Sequence, residues 1–177
     1  KSSLISAWFN FSPCSDRESD SILFFYYKNA RLTEPDRRKL ASNYSISDLM
    51  KIAVDEHLRC TEYPKVGVVV AKDGKLLSTG FRGEVSKKHA ERVALEKLAM
   101  PDRIGSTVFT TLEPCVALQA NQEVQSCADL IIASVVREVF VGVLDPNGTI
   151  YSQCFRKLLE NNISVKFFNR KAEHKLA

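Results

Sequence analysis

His89, Glu91, Cys115 and Cys127 are the residues of this 177-residue chain whose types and order point to chemistry. One imidazole and two thiols suffice for a catalytic zinc, which holds three protein ligands and keeps its fourth position for water. Glu91 stands two residues beyond His89, so its carboxylate can share the pocket without ligating the metal. A metal that acidifies water, beside a carboxylate that takes the proton and returns it to a leaving amine, is what hydrolysis of an amino group needs. Eleven residues separate Cys115 from Cys127, and a packing role is the alternative for the second thiol. Cys14 and Cys60 precede the motif and Cys154 falls in a late predicted helix, which leaves Cys127 as the natural third ligand.

The elements that must carry these residues follow from periodicity. Ser45 caps a helix with Asp48 at its third position, and Ile46, Leu49, Met50 and Ala53 share one face. Val66 to Ala71 is a continuous apolar run suited to a strand buried on both faces. Lys72-Asp73-Gly74-Lys75 turns it into a second strand, Leu76 to Phe81. The polar run Arg82 to Lys88 delivers His89 to a helix lined by Ala90, Ala94 and Leu98, which Pro101 to Gly105 ends. Thr107 to Thr111 is the next strand. Cys115 follows on the approach to a helix continuing through Leu130 to Ala133, where the helix dipole favours a thiolate. A strand at Val139 to Val143, a helix at Tyr151 to Asn161 and a strand at Val165 to Phe168 complete the alternation. The expected fold is α/β, a three-layer α-β-α sandwich around a mixed sheet of about five strands, with an N-terminal extension.

Composition narrows the function classes. With 45% hydrophobic and 26% charged residues the chain reads as globular, and no apolar run approaches membrane-spanning length. A net charge of +4 tolerates an anionic substrate but falls short of the dense basic stripe of a dedicated nucleic-acid binder. Five scattered cysteines argue against a disulfide scaffold and for a reducing, cytoplasmic compartment that keeps zinc-ligating thiols unoxidised. Residues 1–44 lie outside the catalytic pattern: Leu4 to Phe11 and Ile22 to Tyr27 read as strands and Thr33-Glu34-Pro35-Asp36 as a helix start. They form either an extra layer on the sheet or the tail of a preceding domain. Lys1 in place of Met suggests an excised domain or processed product. Residues 45–170 are expected to form the domain that carries the zinc-and-carboxylate pattern and 171–177 a tail, Lys175-Leu176-Ala177 reading as vector-derived.

Val66-Gly67 with Lys72-Asp73-Gly74, His89-Ala90-Glu91 with Ala94-Leu95, Thr111-Leu112-Glu113-Pro114-Cys115 and Leu144-Asp145-Pro146-Asn147 together resemble the cytidine-deaminase-like superfamily. Within it they resemble the deaminase domain of bifunctional riboflavin-biosynthesis enzymes, from about Ser45 to Phe168. The resemblance implies one zinc per chain on His89, Cys115 and Cys127, with Glu91 as proton shuttle. Glu91 would deprotonate a water that attacks the amine-bearing carbon of an aminopyrimidine-type ring, and ammonia would leave. It makes Tyr63, Lys65, Ala90 and Glu113 candidate substrate contacts, Glu113 having a capping role as its alternative. It also implies association, as a homo-oligomer or within a multidomain parent. Two departures stand out. The insert Val116 to Ser126 replaces a short spacer and is expected to loop over the pocket mouth. Tyr63 occupies a place where the family carries a sugar-contacting asparagine.

Three functions compete. The first is hydrolytic deamination of a small nucleotide or aminopyrimidine. The second is deamination of a base flipped out of RNA or DNA, which needs a basic groove with stacking aromatics. The basic stretch Lys166 to Lys175 with Phe167 and Phe168 reads as a strand end and a solvated tail, and Arg82 to Lys88 as a solvated loop, so the small molecule leads. The third is an inactive binding or assembly module, against which the intact Glu91 speaks.

Overall fold

A computed structural model of the protein describes residues 43–116, 125–147 and 151–168. The strands and helix expected within residues 1–42 therefore lie outside the described residues.

The first described helix, α1 (Ile46–Leu58), begins where its cap demands. The Ser45 hydroxyl accepts the Asp48 N–H at 3.1 Å, and the Asp48 carboxylate accepts the Ser45 N–H in return. Leu49, Met50 and Ala53 are buried as expected, but Ile46, the first residue of the helix, is 43% exposed. Strands β1 (Gly67–Lys72) and β2 (Lys75–Phe81) form the expected hairpin. Its tip works because Asp73 and Gly74 both take positive φ, 51° and 77°, as a two-residue turn that follows the strand twist requires.

Helix α2 (Ala90–Glu96) ends earlier than expected, and a separate single turn, α3 (Met100–Arg103), follows it. Pro101 lies in the first turn of α3, so it starts a helix and does not terminate one. Its missing N–H has no partner to lose there. The chain continues through β3 (Thr107–Leu112), α4 (Cys127–Ala133), β4 (Glu138–Val143), α5 (Gln153–Glu160) and β5 (Ser164–Phe167).

The five strands form one mixed sheet in the order β2-β1-β3-β4-β5. β1 is antiparallel to both neighbours, while β3, β4 and β5 run parallel. Strand alternation separates two cores. Val68, Val70, Val108, Val139 and Val141 pack with Ala90, Ala94, Leu95, Ile131, Cys154 and Leu158 from α2, α4 and α5. On the other face α1 lies over β1 and β3, and Phe109 stacks on Phe140 with centroids 4.9 Å apart. Helices thus cover both faces, the expected three-layer arrangement.

Pairing register also gathers one edge of the sheet. Gly67 pairs with Phe81, Val68 with Thr110 and Leu112 with Val143. The start of β1 and the ends of β2, β3 and β4 therefore lie side by side, so the segments around Lys65, Arg82, Cys115 and Asp145 leave the sheet together.

Candidate active site

His89 occupies the N-cap of α2 and Glu91 its second residue, so both leave the same helix end. That helix rests on β2 at Gly80, where a Cβ would meet the Ala90 carbonyl oxygen at 2.6 Å and the Ala94 nitrogen at 2.8 Å. Only a glycine allows so close an approach. Cys115 lies just beyond β3. The expected helix after it is displaced: α4 starts at Cys127 itself, because Ser126 provides the cap, accepting the Asp129 N–H at 3.1 Å. The helix end still acts on Cys115, since the Cys127 N–H points at its Sγ from 3.4 Å.

The three ligand atoms lie within 4.8 Å of one another. His89 Nδ1 is 3.6 Å from Cys115 Sγ and 3.4 Å from Cys127 Sγ. Tetrahedral bonds of about 2.3 Å to sulfur and about 2.0–2.1 Å to nitrogen imply nitrogen–sulfur edges of about 3.5 Å. The donor set therefore matches zinc in kind, number and spacing. Glu91 is only 3% exposed, with Oε2 3.5 Å from the Cys127 thiol.

Electrostatics follow from the crowding. The hydrogen bond from the Cys127 thiol, aided by His89 and the Cys127 N–H against the cost of burial, pulls the Cys115 thiol down to about 4. The same bond and burial hold Cys127 well above the ordinary thiol range. Burial pushes the Glu91 carboxyl up. The hydrogen bond with Cys115 raises His89, partly opposed by burial and by the Arg82 charge. A thiolate, a thiol and an easily protonated carboxylate thus share one pocket, suited to metal binding and proton transfer.

The other candidate residues are placed differently. Glu113 is buried, and its carboxylate accepts the backbone N–H groups of Asp145, Ser152 and Cys154 at 3.3, 3.0 and 3.1 Å. It caps the N-terminus of α5 and draws in the Asp145-Pro146-Asn147 turn. Ala90 is fully buried beneath the helix start. Tyr63 is 81% exposed, with Lys65 Nζ 5.8 Å from its ring centre, on the segment that reaches the gathered edge. Three charges of the run 82–88 are paired within the protein: Arg82 with Glu62 at 3.3 Å, Glu84 with Lys97 and Lys88 with Glu96, both at 2.6 Å. Residues 117–124 of the expected loop lie outside the described residues.

Sequence reasoning missed the Gly80 contact and the partners of Glu113. A glycine inside a strand was the available signal for the first, since it marks a close backbone approach. Nothing local signals the second, whose partners lie 32 to 41 positions away.

Residues 44–143 match the family described as "Cytidine and deoxycytidylate deaminase zinc-binding region". The chain belongs to this family. It is thereby classed with zinc-dependent hydrolases of C–N bonds. The riboflavin biosynthesis protein RibD of Aquifex aeolicus is 33% identical over 132 residues, covering 72% of this chain and 35% of that protein. The solved deaminase/reductase of Thermotoga maritima, named for diaminohydroxyphosphoribosylaminopyrimidine and 5-amino-6-(5-phosphoribosylamino)uracil, superposes with a TM-score of 0.60 at 32% identity. That match covers 72% of this chain and 37% of the other. The dCMP deaminase of cyanophage S-TIM5 shares the fold with a TM-score of 0.55 at 23% identity, covering 69% of this chain and 95% of that one. The chain spans about a third of the length of the Aquifex relative. No helix among the described residues is long and apolar enough to cross a membrane.

Proposed function

We propose that the protein is a hydrolytic deaminase that releases ammonia from the aminopyrimidine ring of a small, riboflavin-pathway-like nucleotide. The observation that carries this reading is the convergence of His89, Cys115 and Cys127 within 4.8 Å beside the buried carboxylate of Glu91. The RibD relatives and the printed name of the Thermotoga enzyme support the substrate class.

In this reading His89 Nδ1 and the two sulfurs hold the metal. Zinc bound there supplies a Lewis acid that brings the deprotonation of water near neutral pH. Glu91, its proton affinity raised by burial, takes the proton of the attacking water and hands it to the exocyclic amine. Water oxygen forms a bond to the ring carbon, the carbon–nitrogen bond breaks, and ammonia departs with the transferred proton. Cys115 enters the site already as a thiolate, while Cys127 must lose its proton when metal binds. Tyr63 and Lys65 serve as the outer substrate contacts, Ala90 contributes backbone only, and Glu113 shapes the wall without touching substrate.

Ammonia release by zinc-loaded protein tests the proposal. The panel holds cytidine, deoxycytidine and their phosphates, the diaminohydroxyphosphoribosylaminopyrimidine phosphate, single-stranded DNA and tRNA, with Glu91→Ala as the blank. Turnover of the phosphoribosyl aminopyrimidine is expected. Release from the polymers alone would transfer the site to base flipping, and silence throughout with zinc bound would sink the deaminase reading.

A further inference from the structure

Eleven residues separate the two cysteines, and this creates a mechanical problem. A two-residue spacer keeps a second thiol near the first by connectivity alone. With the three-halves-power dependence of loop closure, an eleven-residue tether brings its ends together about tenfold less often. Non-covalent fasteners must hold Cys127 in place.

Two of them join the cysteine segments to each other. The Ala128 N–H donates to the Cys115 carbonyl at 3.0 Å, and the Cys127 N–H points at Cys115 Sγ at 3.4 Å. A third comes from behind: Lys157 of α5 pairs with Asp129 at 2.7 Å. His89 and Glu91, however, sit on α2, and the thiols must be registered to that helix as well. Arg92, the next residue after Glu91, makes this link. Its Nη2 donates to the Gln125 carbonyl at 2.7 Å, two residues before Cys127 and next to the Ser126 cap. Its Nη1 is held by Glu96 at 2.8 Å, and Glu96 is braced in turn by Lys88 at 2.6 Å. The Arg92 side chain is 18% exposed, so the guanidinium is fixed between two partners and is not a loose surface charge.

We infer that Arg92 is a positioning residue for the metal centre, locking the returning end of the long insert to α2 so that Cys127 stands at ligand distance from His89. The inference rests on the reading of Cys127 as the third ligand. Arginine suits the task because its planar fork donates to a carbonyl and a carboxylate at once. Outer partners of this kind commonly change metal affinity by about 10–100-fold when removed.

The experiment measures zinc dissociation constants by chelator competition, and thermal unfolding of the metal-free proteins, for the parent, Arg92→Met, Arg92→Lys, Glu96→Gln and Cys127→Ala. Arg92→Met is expected to bind zinc at least about tenfold more weakly, with metal-free unfolding close to the parent's and with partial recovery in Arg92→Lys. Affinity within twofold of the parent would overturn the inference, as would a loss matched by a loss of metal-free stability. If Arg92→Met does not fold, Glu96→Gln decides: it removes the carboxylate charge that braces the guanidinium, together with the exposed Lys88 pair, and leaves the Arg92–Gln125 bond in place. A fall of about threefold is expected, and parental affinity overturns the inference. Cys127→Ala separates the two levels. Zinc retained at full occupancy there would remove the ligand reading itself, whatever Arg92 does.

Discussion

The two halves of the site are built on different principles. His89 and Glu91 are neighbours on one helix end, so helix geometry sets their relation to each other. The sheet then positions the pair as a unit through the close approach at Gly80. Cys115 and Cys127 belong to separate segments, and each position depends on hydrogen bonds that cross the fold. Loss of the Glu91 carboxylate should therefore alter chemistry at an intact metal site, whereas loosening of the cysteine half should alter metal retention before chemistry.

The sharpest test of that contrast is Glu91→Ala. Turnover should fall by about 10²–10⁴-fold, the usual contribution of a general acid–base, while elemental analysis still finds zinc. Lost zinc in this variant would erase the distinction between the halves. Gly80→Ala strikes the same half through its support. The added Cβ collides with backbone of α2, and chemical denaturation should show a loss of about 3 kcal/mol, typical of overpacking at a rigid contact. On the cysteine side, Glu113→Gln turns one of two acceptor oxygens into a donor, so at least one of the three backbone N–H groups loses its acceptor and the carboxylate charge is lost. It should cost about 2 kcal/mol, and amide exchange should rise first at Ser152 and Cys154. Exchange spread evenly over the domain would argue that Glu113 has no local clamping role. Lys51→Ala serves as the remote control: its pair with Asp55 on α1 is mostly exposed, and unfolding should shift by no more than about 0.5 kcal/mol.

Much of the architecture could be read from local pattern. The Ser45–Asp48 capping box, the Asp73-Gly74 turn and the buried valine runs each encode their structure within a few residues. Element boundaries depart from local pattern where two local signals compete. Pro101 suits a helix stop and a helix start equally well, and only the break after Glu96 selects the start. Local pattern puts Cys115 on the approach to a helix through Leu130 to Ala133, and that helix begins at Cys127 because Ser126, at the far end of the insert, supplies the cap.

By itself the sequence determined the chemistry available: an imidazole and a carboxylate two residues apart, a Pro-Cys pair after a strand, and a third thiol downstream. It did so because side-chain type and short spacing are local properties. Only the tertiary structure decided that His89 Nδ1 stands 3.4 Å from Cys127 Sγ, that Glu113 caps α5, and that Arg92 holds the Gln125 carbonyl. Those contacts join residues 33 to 41 positions apart. Across such separations chain connectivity constrains almost nothing, and sheet register together with helix packing must bring the partners together.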